Sequence, residues 1–254
     1  NHHTYPLLTQ LFKHLNITTV PSKMSFGVTI DNAWLEYGSS TMASIFAQKR
    51  NLFRPKFWKL LYDILKFNHI SEKHLANDSL ADSVTLEDYL NEIGVSQWFK
   101  DYYLLAMGGA IWSTPLTNMQ NYPALSFIRF FKNHGLLKIN NPVRWRAVRN
   151  GSKIYVDEII SRLKSRGVSF HTGAKKIERL NKINIEDINA NVTHYDKVIF
   201  ATHSDQALQL LTQPTEVERK LLGSIPYQNN RVVLHTDATF MPQHTKAWSS
   251  WVYM

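Results

Sequence analysis

The sequence predicts an α+β fold, a mixed α/β arrangement in which a nucleotide-type layer is interleaved with a helix-covered mixed sheet. Three observations predict it. Over residues 153–164 the apolar side chains Ile154, Tyr155, Ile159, Ile160 and Leu163 recur at helical spacing, and Gly167 stands where such a helix should stop. Residues 168–171 then alternate like a strand, and residues 197–202 (KVIFAT) form a short apolar run of the kind a buried strand carries. Residues 24–37 read as two more strands, SFGVTI and AWLEY, around an Asp31-Asn32 turn.

The remaining elements follow in order. Leu7, Leu8, Leu11, Phe12 and Leu15 fall on one face of a helix over residues 5–15. His2 and His3 precede it; two adjacent histidines make no metal site, and none is expected. Pro55 suits a first helical position. Behind it Phe57, Trp58, Leu60, Leu61, Ile64, Leu65 and Phe67 form a wide apolar face. Lys49, Arg50, Arg54, Lys56 and Lys59 cluster at its start. Two readings are open there: a solvated basic side of a core helix, or a patch for an anionic lipid surface. Thr85, with Asp88 three residues on, marks a helix start, and residues 95–105 suggest a second short helix packed through Trp98, Phe99, Tyr102 and Tyr103. In AMGGAIWSTP (106–115) two glycines permit close backbone approach. Phe127, Phe130 and Phe131 are candidate core. Asn150-Gly151-Ser152 is a turn that can cap the following helix. Residues 204–211 are helical, Thr215 and Glu218 have capping-box spacing, and RVVLHT (231–236) is strand-like.

Composition bounds the function. The chain has 254 residues, 44% hydrophobic and 19% charged, an ordinary globular balance. No apolar run approaches the ~18 residues that span a bilayer, and no secretory signal opens the sequence, so a cytoplasmic setting is expected. The absence of cysteine removes disulfides, thiolate metal sites and cysteine nucleophiles. Residue 1 is Asn and the last residues are an aromatic run without a stop signal, so a piece of a longer protein is expected. The formal charge of +9 comes from scattered basic residues, with no nucleic-acid motif beside them, so no nucleic-acid partner is expected.

The order of these signals resembles the flavin-containing amine oxidoreductase superfamily, in particular a bacterial branch of FAD-binding, amine-oxidase-like proteins. The resemblance rests on Asn150-Gly151-Ser152, Leu163, Gly167, the HTGAKKI run (171–177), the strand from Asp196 to Thr202, and the runs AMGGAIWSTP and HTDATFMP. It covers nearly the whole chain. It implies FAD as cofactor and an interleaved layout. Residues 1–22 and 143–212 would be part of the FAD domain, and residues 23–142 and 213–254 the substrate domain. The Gly-x-Gly-x-x-Gly loop that grips the pyrophosphate is absent.

The resemblance also places candidate residues. Ala174 stands at an adenine-contacting position. Ala201 and Thr202 end the strand whose edge meets the cofactor; a well-packed strand end is the other reading of that pair. Trp112 and Tyr5 are candidate walls of the substrate cavity, or simply core. Where many amine oxidases hold a lysine near the flavin, this chain offers Arg231. Arginine cannot serve as a base, but it can bind a carboxylate or an anionic flavin, or remain a surface charge. The expected activity is hydride transfer to FAD from an amine or an apolar carbon substrate, an apolar or acyl-chain small molecule being the expected partner. The alternative is a non-catalytic basic module that binds anionic lipid or nucleic acid.

Overall fold

The computed structural model describes residues 1–138 and 143–254. Residue 142, at the edge of a predicted domain boundary, lies outside the described residues. The fold is α+β, as expected. The chain divides into two compact units, Asn1–Ile159 with Leu234–Met254, and Ile160–Val233.

The first unit opens with α1 (Pro6–His14), with proline at its first turn. β1 (Thr19–Pro21) pairs antiparallel with β4 (Arg146–Val148). β2 (Phe26–Ile30) and β3 (Leu35–Gly38) form the predicted hairpin. Its turn holds Asp31, Asn32 and Ala33 at positive φ, a conformation Asn and Asp tolerate well and Ala poorly. α2 (Met42–Ile45) carries a capping box from Thr41 and Ser44. A 3-10 turn, Lys49–Phe53, leads to α3 (Pro55–Asn77), which starts at Pro55 as predicted.

Next come α4 (Leu86–Glu92), capped by the Thr85 hydroxyl accepting from the Asp88 amide, and α5 (Gln97–Phe99). A π-helical turn, Lys100–Leu104, joins α5 to α6 (Leu105–Trp112). α7 (Leu116–Gln120) and α8 (Ala124–Asn133) complete the helical cover. The core lies between this cover and the hairpin. Phe57, Leu60 and Phe67 of α3 meet Tyr89, Phe99, Phe127 and Phe131 from the other helices and Val28 and Leu35 from the sheet. Gly108 is needed there: a Cβ would sit 2.9 Å from Met119 Cε and 3.2 Å from Phe127 Cε2.

α9 (Lys153–Ser165) holds the dividing line between the units. In the second unit β5 (Ala174–Arg179), β6 (Ile183–Asp187) and β7 (Val192–Tyr195) form an antiparallel meander. Two helices, α10 (Ser204–Leu210) and α11 (Glu216–Gly223), accompany it, and Ile177, Ala207 and Leu211 are its buried side chains. β8 (Trp251–Tyr253), back in the first unit, lies parallel to β2.

Three expected strands differ. Residues 168–171, 197–202 and 231–236 join no ladder among the described residues. Apolar side chains there face solvent, with Ile199 93% and Val232 88% exposed. A strand is held by a neighbour's backbone groups, and the described chain offers these three segments none.

One buried charge ties the first unit together. The Glu36 side chain in β3 is fully buried. It accepts hydrogen bonds from the Thr29 hydroxyl (2.8 Å), the Gln243 amide (2.7 Å), the His244 amide (3.0 Å) and the His244 ring at Nδ1 (2.6 Å). Burial pushes this carboxyl up, but the His244, Thr29 and Gln243 donors together hold it below its ordinary value. Asp63 of α3 is the parallel case. Burial opposes its charge, while Lys59 and the Ser96 amide (2.8 Å) lower it.

Candidate functional site

A cleft lies in the first unit. It has a volume of about 920 Å³, within the range of small-molecule sites. α1 forms one wall, with Tyr5 at its N-cap and Leu8 and Phe12 on successive turns. The segment after α8 and the start of β4 form the other, with Val143, Trp145 and Arg146. Of the predicted apolar face of α1, Leu8 and Phe12 line the cleft, while Leu7 is 77% exposed.

An aromatic row runs back from the cleft. Tyr5 and His134 meet edge to face, and the Tyr5 hydroxyl lies 3.2 Å from His134 Nε2. His134 Nδ1 is 2.9 Å from the Phe130 carbonyl, which only accepts. Nδ1 is therefore the donor, and in the neutral ring Nε2 accepts from Tyr5. His134 stacks on Phe130 at 3.8 Å between ring centres, one helical turn away. Phe130 in turn contacts Trp112 at 4.7 Å. Trp145 lies parallel to His134 at 6.3 Å. Tyr5 and Trp112 are thus linked through Phe130 and His134, although Trp112 does not line the cleft.

The charge of the cleft has one sign. Lys13, Lys132, Lys138, Arg144 and Arg146 line it, and among the described residues no carboxylate does. Arg146 donates to the Thr19 hydroxyl (2.7 Å) and carbonyl (2.6 Å), both neutral. An apolar floor with a cationic rim accommodates a molecule with a hydrocarbon or aromatic body and a negative or neutral head. It opposes an ammonium group.

The second unit has a smaller cleft of about 410 Å³, lined by Ile177, Val198, Phe200, Leu211, Leu221 and neighbouring residues. In its lining Arg179 forks onto Glu218 (2.6 and 2.9 Å). The Arg179 hydrogen bond, with those from Thr215, brings the Glu218 carboxyl down to about 2. Ala174 begins β5 opposite Asp187 and is exposed. Ala201 and Thr202 are exposed in the unladdered segment, where the Thr202 hydroxyl donates to the His203 carbonyl (3.1 Å). None of the three lines either cleft. Arg231 is exposed and lines neither cleft.

The sequence reading missed His134, Trp145 and the one-signed cationic lining. These residues converge from α1, from the end of α8 and from β4, and no local pattern announces that. Among the described residues no three His, Asp or Glu side chains gather to hold a metal ion, and no helix is long and apolar enough to cross a membrane.

No family model matches the sequence, and no curated protein is similar to it at the sequence level. Solved structures are similar in fold. Among them are three variants of a putrescine oxidase with redesigned cofactor binding. A single mutant is 13% identical with a TM-score of 0.58, and a triple and a double mutant, also 13% identical, give 0.56 and 0.57. Each comparison covers 85% of this chain and 49% of the oxidase. The chain therefore spans about half the length of the structures it matches.

Proposed function

We propose that this chain is part of an FAD-dependent oxidoreductase of the amine-oxidase type, which takes hydride from an amine or an apolar carbon substrate. The observation that carries the reading is the fold shared with putrescine oxidase over 85% of the chain. Two further features support it. The chain corresponds to 49% of that oxidase, and residues 197–202 and 231–236 are apolar segments without a ladder. On this reading their sheet partners belong to residues outside the chain.

The residues present do not fit the whole cofactor. The glycine loop that grips a pyrophosphate is absent from the sequence, and Ala174, Ala201 and Thr202 line neither cleft. They would supply at most an edge against which the adenosine end lies. Arg231 would serve as an anion-binding residue in the assembled protein, Tyr5 as part of the substrate wall, and Trp112 as support behind it through Phe130 and His134. The cationic rim of the larger cleft favours an apolar carbon substrate over a protonated amine.

The test is a visible spectrum of the protein purified with the residues that flank this chain in its gene. Flavin absorbance that survives gel filtration, and FAD released on denaturation, are expected. A colourless protein that releases no flavin overturns the reading.

A further inference from the structure

α3 has two apolar faces. Phe57, Leu60 and Phe67 face the core and are fully buried. Trp58, Tyr62 and Leu65 follow one another at spacings of four and three, so they form a second stripe on the opposite side. All three are exposed. The stripe continues into the preceding 3-10 turn, where Leu52 is exposed and Phe53 is 85% exposed. The Trp58 indole donates to the Leu52 carbonyl at 2.9 Å, which joins turn and helix into one surface. A helix of a water-soluble protein is expected to be polar on its outer face, and this one is not.

The charge around the stripe is one-sided. Between Thr41 and Ser71 the sequence has six cations, Lys49, Arg50, Arg54, Lys56, Lys59 and Lys66. It has one acidic residue, Asp63, whose buried carboxylate is paired with Lys59, which leaves five cations in excess; Glu72 and Lys73 follow two turns beyond Leu65. Lys59 lies 5.4 Å from the centre of the Tyr62 ring. Tryptophan, tyrosine, leucine and phenylalanine on a segment rich in lysine and arginine match a bilayer interface. The aromatic rings settle at headgroup depth, the aliphatic groups reach the acyl boundary, and the cations meet anionic lipid.

We infer that the outer face of α3 and the turn before it form a docking surface for an anionic lipid bilayer. The occupant is the bilayer surface rather than a single lipid molecule, because the patch is the outer surface of a helix and its cations are spread along residues 49–66. The inference does not rest on the oxidoreductase reading.

The test is sedimentation of the 254-residue chain with vesicles of phosphatidylcholine alone and of phosphatidylcholine with phosphatidylglycerol. Binding is expected to the mixed vesicles and to fall with added salt. Lys49→Gln with Lys56→Gln should weaken it roughly thirtyfold, about fivefold for each cation. Phe53→Ser should weaken it roughly ten- to a hundredfold. Phe53 is almost fully exposed, so the circular dichroism and melting temperature of Phe53→Ser should match the parent. Equal binding to both vesicle types, or none, overturns the inference. So does a dimer in gel filtration that Phe53→Ser dissociates while vesicles are left unbound, since the face would then join two copies of the chain.

Discussion

Phe67→Ala is expected to destabilise the first unit by about 3–5 kcal/mol, the usual cost of emptying a buried phenylalanine site. Phe67 is fully buried, and its ring contacts those of Tyr89, Phe99 and Phe131 at 5.6 to 6.3 Å between centres. These partners come from three other helices, so the space cannot close by a small shift of one element. Urea denaturation followed by circular dichroism gives the difference directly. A loss below about 1 kcal/mol would mean that α3, α5 and α8 do not share one core.

The second large effect concerns Glu36. Glu36→Ala leaves the Gln243 and His244 amides and the Thr29 hydroxyl without their acceptor. At about 1 kcal/mol or more for each partly buried donor, the expected cost is about 3 kcal/mol. His244 is half exposed, and its ring can turn to water. The pH dependence has a definite sign. The folded carboxyl titrates below its ordinary value of 4.5, so the unfolded chain binds the proton more readily. The stabilisation is complete above pH 4.5 and is lost as the pH falls through the lowered folded value. Unfolding curves of the parent and of Glu36→Ala should therefore converge in acid. Curves that stay apart would assign the effect to packing alone.

The locally encoded parts of the fold were legible. Asp31-Asn32 marked the β2–β3 hairpin because few residues tolerate that turn, and Pro55, Thr85 and Thr215 marked helix starts because caps are short-range. The π-helical turn at Lys100–Leu104 has no such signature. Glu36 could have been noticed as the one acid inside an apolar strand, but its partners lie more than two hundred residues away. The cleft was not legible for the same reason: Tyr5, His134 and Trp145 meet only after folding. Residues 197–202 and 231–236 are instructive in the opposite sense. Their pattern is that of strands, yet pattern records what side chains favour, and a ladder also needs a neighbouring backbone. α3 is the intermediate case. Its wide apolar face was visible, but only burial separates the half that packs from the stripe of Trp58, Tyr62 and Leu65 that does not.

Amide hydrogen exchange tests most directly whether those two segments await partners. In the 254-residue chain the amides of residues 197–202 and 231–236 should exchange as unprotected backbone, while those of the β2–β3 and β5–β6 ladders are slow. In the protein with its flanking residues both segments should become protected. Strong protection already present in the chain alone would contradict the account.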